Sequence, residues 1–225
     1  MSSLDYPTVT ANTIGRVGKA SLRFYDVYGK RALDLVLAVL ILPIIAPVIA
    51  IPWAIISRDG GNGFFGHCRV GRDGKVFKCW KLRTMVHDAE RKLQEHLAAN
   101  PEAAAEWARD HKLTDDPRIT RLGHFLRRTS LDELPQIWNV LKGEMSFVGP
   151  RPVTRIEMHK YGPHRATYMS MKPGITGLWQ VSGRNDVSYA QRVQLDVDYS
   201  DIRGLFTDLR LILLTVRSVL GADGR

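Results

Sequence analysis

Cysteine is scarce in this chain of 225 residues, which has only Cys68 and Cys79. Two cysteines cannot form the disulfide framework of a small secreted protein, so we expect a reducing compartment. We expect no zinc site from these cysteines with His67 and His87, because the paired spacings typical of zinc ligands do not occur. The sequence before Arg31 lacks the apolar core of a signal peptide, and we find no internal repeat, so nothing indicates export or a repeat architecture.

Acidic residues are outnumbered by basic ones. Lys and Arg total 32 against 23 Asp and Glu, which gives a net charge of +9 and a pI near 9.8. This excess predicts an anionic partner, which is a nucleic acid, a lipid surface or a phosphorylated substrate. Hydrophobic residues make up 44% and charged residues 24% of the chain, as in a globular protein with one domain.

A long apolar run is the most distinctive feature of the sequence. Residues 35–56 contain no charged side chain. As a straight helix this run would extend about 33 Å, which is enough to cross the core of a bilayer. A helix in the core of a soluble protein is rarely apolar over such a length, so we predict a membrane-bound chain.

The prolines and flanks of the apolar run predict a re-entrant helix. Pro43, Pro47 and Pro52 lie inside the run, and an interior proline removes a backbone hydrogen bond, so we expect a break near the middle. Basic residues on both sides indicate that both flanks are cytoplasmic. They are Arg16, Lys19, Arg23, Lys30 and Arg31 before the run, and Arg58, Arg69, Arg72 and Lys75 after it. A helix that enters one leaflet, bends and returns satisfies both observations.

The C-terminal segment 201–220 predicts an amphipathic helix. Arg203, Arg210 and Arg217 recur every seven residues and therefore lie on one stripe, with a leucine-rich side elsewhere. One interpretation packs this helix on the protein core. The other places it in the headgroup layer of the membrane, with its arginines on lipid phosphates.

The remaining sequence predicts a small soluble body of α/β or α+β type, mostly helical with a small sheet. Short β-prone segments at 64–70 and 75–83 surround a Gly-rich turn and predict a hairpin. Segments 86–100 and 101–112 predict two solvated helices, and further helices are expected near Asp132 and over 187–199. Segments 148–152 and 172–184 are rich in Gly and Pro and predict loops.

The densest group of charged residues lies between positions 115 and 136. Asp132 and Glu133 are adjacent carboxylates that follow the arginine pair Arg127 and Arg128. Ser130 and Glu133 match a capping box, or Asp132 is itself the N-cap of the next helix. Capping is compatible with catalysis, because a helix N-terminus holds a carboxylate in its ionised form. Such an aspartate is a nucleophile that needs no general base.

Attack by a carboxylate on a phosphate brings two anions together, and their repulsion at 4 Å is about 4 kcal/mol at an effective dielectric of 20. A site of this kind therefore needs cations. The candidates are Lys81, Arg83, Arg127, Arg128 and Arg151. Arginine forms two parallel bonds to phosphate, and Arg151 is restrained by a proline on either side. A magnesium ion on Glu133 would neutralise the remaining charge.

Six motifs in order support a family resemblance. They are KRALD at 30–34, KLRTM at 81–85, DPRIT at 116–120, SLDELPQ at 130–136, VGPRP at 148–152 and KPGITGLWQVSGR at 172–184. Together they resemble the bacterial sugar transferases called monotopic polyprenol phosphate phosphoglycosyl transferases, over nearly all of the chain from Lys30 to Leu220. The chain is most similar to the small members that act in exopolysaccharide production, the undecaprenyl-phosphate galactose or glucose phosphotransferases.

The resemblance implies a reaction and roles for the site residues. The reaction is transfer of a hexose-1-phosphate from a UDP-sugar to undecaprenyl phosphate, which releases UMP and begins exopolysaccharide synthesis. Asp132 matches the family nucleophile that forms a covalent phosphosugar intermediate, and Glu133 matches its neighbour that holds Mg²⁺. Lys81, Arg127 and Arg151 match family positions that contact phosphate or nucleotide, and Arg83 is a further candidate for substrate binding. The chain has Ala46-Pro47 where members often have Ser-Pro, so the helix break depends on Pro43 as well.

These inferences define an expected organisation. We predict an N-terminal tail over 1–29, a re-entrant membrane helix over 30–57, a cytosolic catalytic domain over 58–200 and an interfacial helix over 201–225. The protein is expected on the cytoplasmic face of the bacterial inner membrane, with inner-membrane lipid as a partner, no nucleic acid, and a homodimer left open. Two alternatives remain, a non-catalytic membrane-tethered module that binds nucleic acid or anionic lipid, and a phosphohydrolase.

Overall fold

A computed structural model of the chain describes residues 24–182 and 187–220, and its described part is mostly helical with short strands. The helices are α1 (Lys30–Ile56), α2 (Ala89–Ala99), α3 (Pro101–Asp110), α4 (Arg121–Thr129), α5 (Ile137–Lys142), α6 (Arg155–Met158), α7 (Arg165–Met169), α8 (Leu178–Val181), α9 (Tyr189–Ile202) and α10 (Leu205–Leu220). The strands are β1 (Phe64–Val70), β2 (Val76–Leu82), β3 (Ser146–Val148) and β4 (Gly174–Thr176). A mostly helical fold with a small sheet is thereby confirmed.

The described residues divide into two compact units. The first unit contains Gly66–Trp80 together with the described residues up to Pro43 and from Gln136 onward. The second unit contains Ile44–Phe65 and Lys81–Pro135. Residues 1–23 of the predicted tail over 1–29, residues 183–186 with the last two positions of the final motif, and residues 221–225 of the predicted interfacial helix lie outside the described residues.

Helix α1 is long and apolar enough to cross a membrane, and it is not a core helix. The candidate span Tyr25–Asp59 has a mean hydropathy of 2.8 in a window of which only 6% is buried. Leu40, Ile44 and Ile51 each expose more than 60% of their surface. The helix continues through its three prolines from Lys30 to Ile56. The expected break in helical structure is therefore wrong. The re-entrant path stays a prediction.

Polar contacts fix the beginning of α1 to the first unit. Lys30 Nζ lies 2.5 Å from Oδ2 of the buried Asp208. Arg31 donates to the carbonyls of Val140 and Leu141 at 2.6 and 2.8 Å, at the C-terminal end of α5. Two of the basic residues taken as membrane-flanking charges therefore also hold the apolar helix on the protein.

The first hairpin forms where it was predicted. β1 and β2 make a two-stranded sheet, and β2 ends at Leu82, one residue before the predicted end. The turn between them contains Asp73 and Gly74 at φ of +58° and +74°, a region that glycine adopts without strain.

A second, parallel sheet was not predicted, since β4 lies inside a segment predicted as a loop and β3 ends at the first residue of the other predicted loop. Ser146 pairs with Gly174, and Val148 pairs with Thr176. Each strand has only three residues, so no alternation of apolar and polar positions is long enough to be recognised in the sequence. A Cβ on Gly149 would lie 2.3 Å from the carbonyl oxygen of Lys172, so the close strand approach requires glycine there.

Helix α10 packs on the core with one face and leaves another face exposed. It begins at Leu205 rather than at residue 201, and its Leu211 is fully buried in a core cluster with Val148 and Tyr199. The core-packed interpretation is thus confirmed for one face. Another face exposes Phe206 and Leu213 by 85% and 69%. Contact of this face with the headgroup layer stays a prediction.

The other predicted helices are confirmed with shifted ends. Helices α2 and α3 replace the predicted 86–100 and 101–112, and Pro101 is at the first helical position of α3. Helix α9 replaces the predicted 187–199 and begins after Ser188, which forms a capping box with Gln191.

Candidate active site

The site is built in the second unit, where α4 packs closely against the segment that follows β2. Thr120 caps α4 by accepting a hydrogen bond from the backbone N–H of Gly123 at 2.9 Å. A Cβ on Gly123 would lie only 2.0 Å from the carbonyl oxygen of Thr84. This close approach lets Arg127, one turn later, donate from Nε to the Thr84 hydroxyl at 2.9 Å.

A tight reversal after α4 presents the two carboxylates. Ser130 has a φ of +58° and closes α4, with its N–H directed at the carbonyls of Arg127 and Leu126. A 3₁₀ helix, Leu131–Gln136, begins immediately after it and has Asp132 and Glu133 in its first turn. The predicted capping box is therefore wrong, because Ser130 ends one helix instead of capping the next. Helix α5 begins at Ile137, later than the helix expected near Asp132.

Lys81 joins the two carboxylates. Its Nζ lies 2.5 Å from Oε1 of Glu133 and 3.8 Å from Oδ2 of Asp132. The Asp132 side chain is 10% exposed, whereas that of Glu133 is 38% exposed. The structure thus brings together three of the predicted site residues, with one carboxylate nearly desolvated and the other open to solvent.

Burial dominates the electrostatics of Asp132. Desolvation raises the pKa of this carboxyl group and is the largest influence, and the neighbouring Glu133 raises the pKa further. Lys81 and Arg127 lower the pKa of Asp132, and a backbone hydrogen bond contributes least. The ionised form of Asp132 is therefore favoured mainly by the nearby cations. The backbone N–H groups at a helix N-terminus, which were expected to favour it, contribute less.

Arg83 serves the end of α1. Its Nη2 donates to the carbonyl oxygen of Ile56 at 3.0 Å and to Asp59 Oδ1 at 2.5 Å. Its Nε and Nη1 are buried without a hydrogen-bond partner. For the predicted substrate contact of Arg83, Nε and Nη1 are the guanidinium nitrogens without a hydrogen bond within the described residues, and both are buried, whereas Nη2 ties the residue after β2 to the last turn of the apolar helix.

Arg151 belongs to the first unit, whereas Asp132 and Glu133 belong to the second. It is exposed, and its guanidinium lies 5.4 Å from the ring centroid of Trp179. The guanidinium of Arg192 lies 4.8 Å from the same ring. The stacking partners of Arg151 were not predicted, since the sequence separation of these residues gives no local signal. Its convergence with Asp132 stays a prediction.

Two further residues of the second unit organise the site and were missed. Thr84 positions Arg127, yet nothing in a single sequence distinguishes this threonine. Asp116 is buried and forms a two-bond pair with Arg118, at 2.8 Å to Nε and 2.7 Å to Nη2. Its spacing, with the backbone N–H of Arg118 also donating to Asp116, is that of a local aspartate turn and could have been recognised.

The carboxylate pair has the donor chemistry for magnesium. Mg²⁺ is usually bound through one or two carboxylates, with water and substrate phosphates as the other ligands. Asp132 and Glu133 supply these carboxylates. The Glu133 side chain is 38% exposed, so water and substrate phosphates can reach a metal ion bound to it. Within residues 24–182 and 187–220 no group of three or more His, Cys, Asp or Glu gathers to hold a metal by itself.

Comparison with known proteins gives a consistent result. The family described as bacterial sugar transferase matches residues 25–222. A UDP-galactose-lipid carrier transferase of Erwinia amylovora is 51% identical over 208 residues, 92% of this chain and 43% of that protein. The exopolysaccharide production protein ExoY of Sinorhizobium fredii is 46% identical over 87% of each chain.

A third relative carries its reaction in its name. The UDP-glucose:undecaprenyl-phosphate glucose-1-phosphate transferase of Escherichia coli is 40% identical over 83% of this chain and 39% of its own length. The chain thus spans about two fifths of the length of the Erwinia and Escherichia proteins and most of the length of the Sinorhizobium protein.

Proposed function

The chain belongs to the bacterial sugar transferase family, and from this premise we propose that it transfers a hexose-1-phosphate from a UDP-sugar to undecaprenyl phosphate. The products are undecaprenyl-diphosphate-sugar and UMP. One observation carries the proposal, the contact of the Lys81 ammonium with both Asp132 and Glu133 beside Arg127. Adjacent carboxylates held among cations suit attack on a diphosphate better than binding to a polyanion.

In the first half of the reaction Asp132 is the nucleophile. A carboxylate oxygen of Asp132 bonds to the phosphorus that carries the sugar, and the bond from that phosphorus to the bridging oxygen of UMP breaks. UMP leaves with the electron pair, and the sugar phosphate stays on Asp132 as an acyl phosphate. In the second half an oxygen of undecaprenyl phosphate bonds to the same phosphorus, and the bond to Asp132 breaks, which restores the carboxylate.

The surrounding residues reduce the repulsion between the reacting anions. Lys81 is close enough to Asp132 to favour its ionised form and to contact a phosphate oxygen after a small movement. Arg127 has its Nε fixed by Thr84, which aims the rest of the guanidinium. Glu133, with Asp132, would hold Mg²⁺, and the ion would supply positive charge to the phosphate oxygens. Arg151 is proposed as a further phosphate contact.

The location follows from the acceptor. Undecaprenyl phosphate keeps its phosphate at the headgroup layer, whereas a UDP-sugar is soluble, so the reaction requires a site at the membrane surface. The exposed apolar α1 and the exposed apolar face of α10 support attachment of this chain to the inner membrane from its cytoplasmic side. Galactose and glucose are the hexoses that the names of the relatives support.

Product analysis tests the proposal. Purified protein is incubated with radiolabelled UDP-galactose or UDP-glucose, undecaprenyl phosphate and Mg²⁺, and label is followed into the organic phase. We expect transfer with wild type and with Asp115→Asn, an exposed aspartate of the same unit, and none with Asp132→Asn. Free sugar phosphate in place of labelled lipid would instead identify a phosphohydrolase. No turnover of any UDP-sugar would favour the non-catalytic binding module.

A further inference from the structure

The first unit contains a basic cavity that none of the residues assigned to sugar-phosphate transfer lines. It has a volume of about 400 Å³ and lies between the beginning of α1, the end of α5 and the segment before β4. Six cationic residues line it, namely Lys30, Arg31, Arg72, Lys142, Lys172 and Arg203. Asp26 and Asp34 are the only carboxylates among the described residues that line the cavity.

Internal ion pairs leave half of these cations without a carboxylate partner. Lys30 is paired with Asp208, Arg203 with Asp26 at 2.6 Å, and Arg72 with the exposed Asp73 at 4.0 Å. Arg31, Lys142 and Lys172 then remain against the single carboxylate of Asp34, whose Oδ1 accepts hydrogen bonds from the Ser146 hydroxyl and the Phe147 N–H. An excess of cations in a partly enclosed space favours an anionic ligand.

Two of the remaining cations converge at one point. Gly143 ends α5 with a φ of +81°, and a Cβ placed on it would lie 3.5 Å from Lys172 Nζ and 3.6 Å from Arg31 Cζ. Arg31 is bonded to neutral carbonyls only, so its charge is not cancelled. In the part of the chain that the structure describes, Lys172 Nζ has neither a hydrogen bond nor an ion pair. The two groups form a fork that can hold an oxyanion.

The environment of Lys172 is that of a cation without its counter-ion. Burial lowers the pKa of Lys172, and the positive charge of Arg31 lowers it further, with Arg72 and Lys30 acting in the same direction. Asp34 alone among the principal influences raises the pKa of Lys172. A bound anion would relieve this repulsion.

We propose that this cavity binds the phosphate of an anionic phospholipid headgroup. Lys30 and Arg31 are the last charged residues before the apolar stretch of α1, apart from Asp34, so the cavity lies at the polar end of the membrane helix. Lipid phosphates occupy that level of a bilayer, and arginine and lysine are the side chains that bind them. The inference does not depend on the proposed sugar-phosphate transfer, because none of the lining residues takes part in it.

A binding measurement tests the proposal without reference to catalysis. Full-length protein in a neutral detergent is titrated with short-chain phosphatidylglycerol, and binding is followed by thermal unfolding. We expect a saturable rise in melting temperature for wild type. Lys172→Gln should bind about tenfold more weakly, since it loses one charge-assisted contact. Lys75→Gln, which removes an exposed lysine of the same unit outside the cavity, should bind like wild type.

Controls keep each outcome decisive. Without lipid, Lys172→Gln should melt no lower than wild type, because the Lys172 ammonium makes neither a hydrogen bond nor an ion pair within the described residues, and glutamine keeps most of the side-chain stem. Should that variant fail to fold, Lys172→Arg replaces it and should keep the affinity. Equal weakening by Lys75→Gln, or no saturation in wild type, would overturn the proposal. Tighter binding of farnesyl phosphate or of inorganic phosphate than of phosphatidylglycerol would overturn the phospholipid assignment and give the cavity to the acceptor or to a soluble phosphate.

Discussion

At the scale of single residues, the carboxylate at position 132 is held under conditions that oppose its ionisation. Burial raises the pKa of Asp132, and only Lys81 and Arg127 counter this to an appreciable degree. A desolvated carboxylate is a better nucleophile than a hydrated one, provided that a cation keeps it ionised. The chemistry of Asp132 therefore depends on Lys81, and this dependence can be measured.

Removal of Lys81 should shift the pH dependence of the first half-reaction. Lys81→Met removes the largest influence that lowers the pKa of Asp132, so the ionised nucleophile is lost at a higher pH than in wild type. We expect UMP release at pH 7 to fall about tenfold or more, and to recover partly as the pH is raised. Rates are measured from pH 5 to 9, with Lys112→Met, an exposed lysine of the same unit, as the control. An equal loss at every pH would contradict this role.

Asp196 provides a pH dependence of stability that is separate from catalysis. Burial raises the pKa of Asp196 to about 7, although Tyr161 donates to its Oδ2 at 2.6 Å. The folded pKa exceeds the unfolded value of about 3.9, so the folded state binds the proton more strongly and stability falls as the pH rises through about 7. Between these two pKa values the free energy of unfolding falls by about 1.4 kcal/mol per pH unit.

Asp196→Asn should abolish most of this fall. Melting temperatures at pH 5 and 8 measure the fall, with Asp198→Asn on the same helix as the control. A wild-type protein that is no less stable at pH 8 would contradict it.

At the scale of elements, the contact between α4 and Thr84 determines where the arginine and the carboxylates lie. The approach is so close that only glycine fits at position 123, since an added Cβ would overlap the Thr84 carbonyl. Arg127 and the reversal at Ser130 follow on the same helix. Any displacement of α4 is therefore passed on to the site.

Gly123→Ala tests this coupling. On an open helix this change would stabilise the protein by about 0.5–1 kcal/mol, because alanine is the better helix former. Here we expect destabilisation by about 1–3 kcal/mol, as for other overpacked positions, and a large loss of turnover. His124→Ala, at the exposed next residue, should change neither. A Gly123→Ala protein with a raised melting temperature and full activity would show that α4 does not hold the site.

The elements differ in how well the sequence predicted them. The amphipathic helices and the first hairpin were predictable because their patterns extend over seven or more residues. The strand pair β3 and β4 was not, because three residues carry no period and Gly and Pro at both strands indicate loops. The reversal at Ser130 was also missed, since a serine at φ +58° is unusual and its motif matched a capping box better.

At the scale of the whole molecule, the exposed apolar surface supports the proposed attachment to a membrane. Helix α1 exposes most of its side chains, and α10 exposes Phe206 and Leu213, which a purely soluble protein would have to cover. The sequence predicted the long apolar helix and the convergence of Lys81 on Asp132 and Glu133. It could not predict that Lys30 and Arg31 also anchor α1, because their partners Asp208 and Val140 are more than 100 residues away.

Cysteine labelling tests whether both flanks of α1 face the cytoplasm. Cys68 is exposed and reports the C-terminal flank, whereas Cys79 is buried. Tyr28→Cys in a Cys68→Ser background reports the N-terminal flank, since Tyr28 is 67% exposed. We expect a membrane-impermeant maleimide to label neither site in intact spheroplasts and both in inverted membranes. Labelling of either flank from outside would establish a spanning helix and contradict the re-entrant path.

The covalent intermediate is the point on which the chemical account rests, and intact-protein mass spectrometry examines it most directly. Protein is mixed with UDP-galactose or UDP-glucose and Mg²⁺ without lipid acceptor, quenched in acid and weighed. We expect an added hexose phosphate that maps to the peptide containing Asp132, forms together with UMP and is discharged by undecaprenyl phosphate. The same mass increase on Asp132→Asn, or UMP release by wild type with no adduct trapped on that peptide, would contradict it.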